Sequence, residues 1–181
     1  MRVAGGRTAR TNGRFRTATA EPALRMNAGV RRTNVNWENP MSESLGFEVE
    51  LPLAFAAAMD ATRDALKAEG FGILTEIDLQ AAFKEKLGRD FRPYVILGAC
   101  NPPLAFAAVT ADPAIGLLLP CNVTVEARDA THSVVRLVDP QLMLSSAPGG
   151  LAPELISVAD DASQRMARVR EVLRRVGRPS T

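Results

Sequence analysis

Two short runs of this sequence echo each other, and both contain residues able to do chemistry. Leu97-Gly98-Ala99-Cys100-Asn101-Pro102 and Leu118-Leu119-Pro120-Cys121-Asn122-Val123 each place a Cys-Asn pair where an apolar strand meets a proline. They hold the chain's two cysteines. A thiolate is a nucleophile and a soft-metal ligand, and its reactivity follows its pKa. Cys100 falls just before an expected helix N-terminus, where unpaired amides and the helix dipole favour the thiolate. Cys121 shares the strand face of Leu119, Val123 and Val125 and is expected to point inward. Against these functional readings stand plain ones. A free cysteine commonly packs as a small hydrophobe, Asn101 suits a helix cap, and Asn122 suits an edge or bulge position beside Pro120.

The elements that must position these residues follow from periodicity. Phe47 to Leu51 alternates apolar and acidic residues, which predicts a strand with one buried face. Pro52 ends it, and Phe55, Met59, Thr62 and Leu66 then recur at helical spacing up to Gly70. A second strand is expected over Phe71 to Ile77. Asp78 caps a short helix with Leu79, Ala82, Phe83 and Leu87 on one side, closed by Gly88. Tyr94 to Cys100 reads as a third strand, and Asn101-Pro102-Pro103 opens a helix over Leu104 to Val109 that Asp112-Pro113 ends. Leu117 to Ala127 is expected as one long strand interrupted by Pro120. Arg128 to Thr131 turns it into a partner strand, Ser133 to Val138. After a loop at Pro148-Gly149-Gly150, Leu155, Ala159, Ala162, Met166, Val169, Leu173 and Val176 form one continuous apolar stripe on a closing helix. That stripe lies across the sheet or against a partner's copy.

Other chemistry finds little support. His132 is the single histidine and falls beside the hairpin turn, with no second ligand for a metal and no triad partners. Asp160 and Asp161 are adjacent on a helix and face different directions. No glycine-rich phosphate loop occurs.

Composition sets the frame. The chain has 181 residues, 46% hydrophobic and 23% charged, enough for one domain with an appendage. Two cysteines are too few for a disulfide scaffold, which points to a reducing, cytoplasmic setting. The apolar runs are far shorter than a bilayer span. Residues 1–40 hold eight arginines against Glu21 and Glu38, a net charge of +6, and the remainder carries −4. This basic stretch lacks periodicity and is expected to be disordered. Its plainest reading is an over-extended start, with the protein opening at Met41. Nucleic acid is not the expected partner, because only charge supports it. Residues 41–181 then form a single α+β domain.

The run from Asp112 to Val123, together with Ile96 to Pro102 upstream, resembles the family catalogued as domain of unknown function 302, DUF302, over about Gly46 to Asp139. The resemblance implies a TATA-binding-protein-like arrangement: a single, mainly antiparallel sheet with helices packed on one face. It does not imply DNA binding, since function resides in sites rather than folds, and no catalytic role is carried over from it. The expectation is therefore a small domain that binds a small molecule or soft metal, or senses redox state, where Cys100, Asn101, Cys121 and Asn122 approach. The alternatives are an enzyme with Cys100 as nucleophile and a homodimer module built on the closing helix. No catalytic residue, metal ligand set or cofactor is assigned.

Overall fold

Alternation in the strands and 3.6-residue spacing in the helices produce a sheet with one apolar face and amphipathic helices laid against it. The computed structural model describes residues 45–145 and 152–176. The basic stretch, Met41 and the Pro148-Gly149-Gly150 loop lie outside the described residues. The elements run β1 (Gly46–Leu51), α1 (Phe55–Ala68), β2 (Gly72–Asp78), α2 (Leu79–Leu87), β3 (Tyr94–Cys100), α3 (Pro102–Ala111), a 3-10 turn (Pro113–Leu118), β4 (Cys121–Ala127), β5 (Ser133–Val138), α4 (Pro140–Ser145) and α5 (Pro153–Val176).

The five strands form one antiparallel sheet in the order β1-β5-β4-β3-β2. Every second residue faces the core: Val49 and Leu51, Val95, Leu97 and Ala99, Cys121, Val123 and Val125, Val135 and Leu137. Ala58, Met59, Ala65 and Leu66 of α1 and Met166, Val169 and Leu173 of α5 complete this cluster. The expected stripe on the closing helix is buried from Leu155 to Leu173, and only Val176 is left exposed, at 45%. The chain's own core therefore takes up that stripe, which leaves it unavailable to a partner's copy and corrects the basis of the dimer expectation.

On the opposite sheet face, Arg136 bonds Glu48 at 2.7 Å and Glu126 at 2.6 Å, and Arg92 also reaches Glu126. Burial pushes the Glu126 carboxyl up, but the bonds and charges of the two arginines outweigh it and hold the group below its ordinary value.

Local signals explain most boundaries. Asp78 accepts from the Ala81 amide at 3.0 Å, and Gly88 closes α2 with φ +64°. Gly70 follows α1 at φ +81°, a conformation that favours glycine. Two expectations need correction. Leu117 to Leu119 do not open a strand, because the Asp112 side chain accepts from the Ala114 amide at 2.8 Å and starts a 3-10 turn instead; β4 begins at Cys121. Helix α4, capped by Asp139 accepting from Gln141 at 2.9 Å, is a further element that the periodicity does not disclose.

Candidate functional site: a thiol-bearing apolar cavity

The end of β3 and the start of β4 bring the echoed segments together. Ala99 is paired with Cys121 and Gly98 with Asn122. Cys121, in phase with Val123 and Val125, is buried on the core face as expected. Cys100 is out of phase with Ala99, but it ends its strand where the chain turns into α3, and it lines the same cavity as Cys121. Asn122 faces away from the core, is exposed, and does not line this cavity. Three of the four expected residues thus converge, and the fourth stands on the other side of the sheet.

Close backbone approach fixes this corner. A Cβ on Gly98 would lie 2.2 Å from Thr75 Oγ1 and 2.6 Å from Pro120 Cγ, so only glycine fits. The Leu119–Pro120 peptide is cis. Asn101 is buried and caps α3, its Oδ1 accepting from the Leu104 amide at 3.4 Å. Its Nδ2 reaches the Glu69 carbonyl at 3.5 Å, and Arg165 donates to that same carbonyl at 3.2 Å.

The expected electropositive setting for Cys100 is not built. Pro102 and Pro103 carry no N–H, the Leu104 amide is turned to Asn101 Oδ1, and the Ala105 amide donates to the Asn101 carbonyl at 2.9 Å. No amide of the first helical turn is left for a thiolate. Burial instead pushes the Cys100 thiol up. Burial, and next the proximity of Cys100, push Cys121 up to about 11.

The cavity has a volume of about 40 Å³. Its wall comprises Phe71, Ala99, Cys100, Asn101 and Cys121 on the sheet side, Leu104, Ala105, Ala108, Ile115 and Leu119 from α3 and the 3-10 turn, and Pro140, Met143, Leu144, Val158 and Ala162 from α4 and α5. It lies at the seam between two apolar clusters. One is the main sheet core; the other gathers Ala108, Ile115, Leu144, Leu155 and Ala159. Met143 packs against both.

Sequence reasoning places Phe71 in a strand and Ala162 in the stripe of the closing helix but assigns neither of them, nor Ala108, Ile115 or Met143, to the site. One signal was present: between Pro93 and Val125 the only charged residue is Asp112. Helix α3 carries no charged residue and Thr110 as its one polar side chain, yet Ala108 is its one buried residue and Phe106 is 76% exposed. Leu117 of the 3-10 turn is 89% exposed.

His132 is exposed in the β4–β5 turn and bonds Asp129 at 3.1 Å, away from both cysteines in the cavity wall. Bonds from Thr131 and His132 hold the Asp129 carboxyl down at about 2. Among the described residues no group of three or more His, Cys, Asp or Glu side chains is placed to hold a metal ion. No helix among them is long and apolar enough to cross a membrane.

A single antiparallel sheet with helices on one face and an apolar cavity where its inner strands β3 and β4 end and begin defines an α+β domain. The model for the domain of unknown function DUF302 matches residues 47–173, and the chain belongs to that family. It is similar to the crystal structure of an uncharacterized conserved DUF302 protein from Bacillus stearothermophilus, with 27% identity and a TM-score of 0.63, over 72% of this chain and 98% of that one. No curated protein matches the chain.

Proposed function

We propose that the domain is a small-molecule-binding module whose site is the cavity beneath α3, with Cys100, Asn101 and Cys121 in its wall. The observation that carries this reading is the convergence of both thiols on one void, in an interior where side chains ordinarily pack without gaps. A concave, mostly apolar wall with a few polar groups is the usual form of a small-molecule site.

A soft-metal or redox role for the two thiols, or a nucleophilic role for Cys100, has less support. Each draws on a thiolate, and burial shifts both thiols away from ionisation. The reading places the protein in a reducing, cytoplasmic setting, where free thiols persist. It also makes residues 41–181 the binding unit, so removal of residues 1–40 leaves binding unchanged.

Xenon enters apolar cavities without needing a polar partner. In methyl-resolved NMR under xenon pressure, the expected result is a selective shift of the Ala108, Ile115, Met143 and Leu144 methyls, abolished in Ala162→Leu, where the larger side chain fills the void. An absence of selective shifts in the unaltered protein overturns the reading.

A further inference from the structure

The wall of the cavity defines the charge of what it can hold. Among the described residues, no Asp, Glu, Lys, Arg or His side chain lines it. The one charged residue of the flanking stretch, Asp112, has its carboxylate turned to the Ala114 amide. A buried ion without a counter-charge loses its hydration and gains nothing in return. Anions commonly settle on helix N-termini through free amides, but Pro102 and Pro103 remove two of those at α3, and Asn101 occupies the next two. The Asn101 amide is itself directed to backbone groups at both ends, at 3.4 and 3.5 Å.

The wall also bears on size. A void of about 40 Å³ has room for only a few waters. Its boundary, however, is the seam between two apolar clusters, which Met143, an unbranched and adaptable side chain, touches on both sides. Helix α3 contributes one buried residue, Ala108, and no charge, so shifting it with the 3-10 turn moves apolar groups past apolar groups. The seam can widen without stranding an ion pair of that segment, with the buried Asn101 cap, bonded to Leu104 and Glu69, as the fixed end about which α3 shifts.

Resting on the binding role assigned to this cavity, we propose that its ligand is a neutral, hydrocarbon-rich molecule that lies between the two thiols and α3. Carboxylates, phosphates and cations are excluded by the missing counter-charge. Uncharged molecules gain affinity with each methylene that enters the seam.

The test uses the full-length protein and two matched probe series, butanol, hexanol and octanol against butanoate, hexanoate and octanoate, titrated by methyl NMR at neutral pH. Affinity for the alcohols is expected to rise about fourfold per methylene until the seam is full. Each carboxylate is expected to bind at least roughly tenfold more weakly than its alcohol. Ala162→Leu and, independently, Ala108→Leu are expected to lower alcohol affinity by about tenfold or more; the two positions lie on different helices, so failure of one variant to fold leaves the other. Carboxylates binding as tightly as the alcohols, or affinities indifferent to chain length, overturn the proposal. Xenon entry without alcohol binding defeats the ligand class and leaves the binding role standing, whereas failure of xenon to enter defeats both.

Discussion

Replacing Cys121 by alanine should change how the protein responds to alkali, and the size of that change follows from burial. In the unfolded chain the thiol ionises at its ordinary value of 9.0, and in the folded protein at about 11. Between these values the unfolded state has lost its proton while the folded state keeps it. Ionisation therefore favours unfolding, so this thiol's contribution is intact below about pH 8 and is lost as pH rises toward 11. A difference of about two units at ~1.4 kcal/mol per unit gives a loss of roughly 2–3 kcal/mol across the window. Cys121→Ala removes the titrating group, and its constant packing cost cancels when slopes rather than absolute stabilities are compared. Urea denaturation followed by circular dichroism, at pH steps from about 8 to 11, measures both proteins. The stability advantage of the unaltered protein over the variant should shrink by about 2–3 kcal/mol. An advantage independent of pH would refute the reasoning, because the thiol would then ionise as readily in the folded state as in the unfolded one.

Gly98→Ala should destabilise the fold by about 1–3 kcal/mol, because Pro120 cannot yield as the Thr75 hydroxyl can; pairing it with Thr75→Ala should recover only part of the loss in thermal unfolding. Glu126→Gln should cost about 1–3 kcal/mol near neutrality by leaving Arg92 and Arg136 short of their shared partner, less than a fully buried pair would because both arginines reach solvent. The Glu126 carboxyl is held below its ordinary value of 4.5, so its stabilisation is present above that pH and disappears as the pH falls through its folded value. The two proteins should therefore converge in stability at acid pH, as followed by denaturant titration.

Much of the fold was legible because its signals are periodic and local. The alternation of Val123 and Val125 set the direction of Cys121, and the spacing of Leu155 through Leu173 marked the buried face of α5. The start of β4 is not legible in the sequence, because Leu117 to Leu119 have the apolar character of a strand while a single side-chain bond from Asp112 starts a 3-10 turn there. Asn122 is adjacent to Cys121 in sequence, but a strand's period of two sends neighbours to opposite faces. The raised thiol at Cys100 was within reach of sequence reasoning. A helix that opens on Pro102-Pro103 forfeits the amides that a thiolate would need, so burial raises the Cys100 thiol unopposed. The remaining wall, from Phe71 to Met143 and Ala162, could not be read from local pattern, since elements distant in the chain meet there only through the packing of two clusters.

The most direct measurement is a crystal structure of the protein soaked in hexanol. The account predicts an ordered chain beneath Ala108 with its carbons against the sulfur atoms of Cys100 and Cys121, and Met143 displaced toward one of the two clusters. An unchanged, empty seam at saturating hexanol, or hexanol bound only on the exposed surface around Phe106 and Leu117, would contradict it.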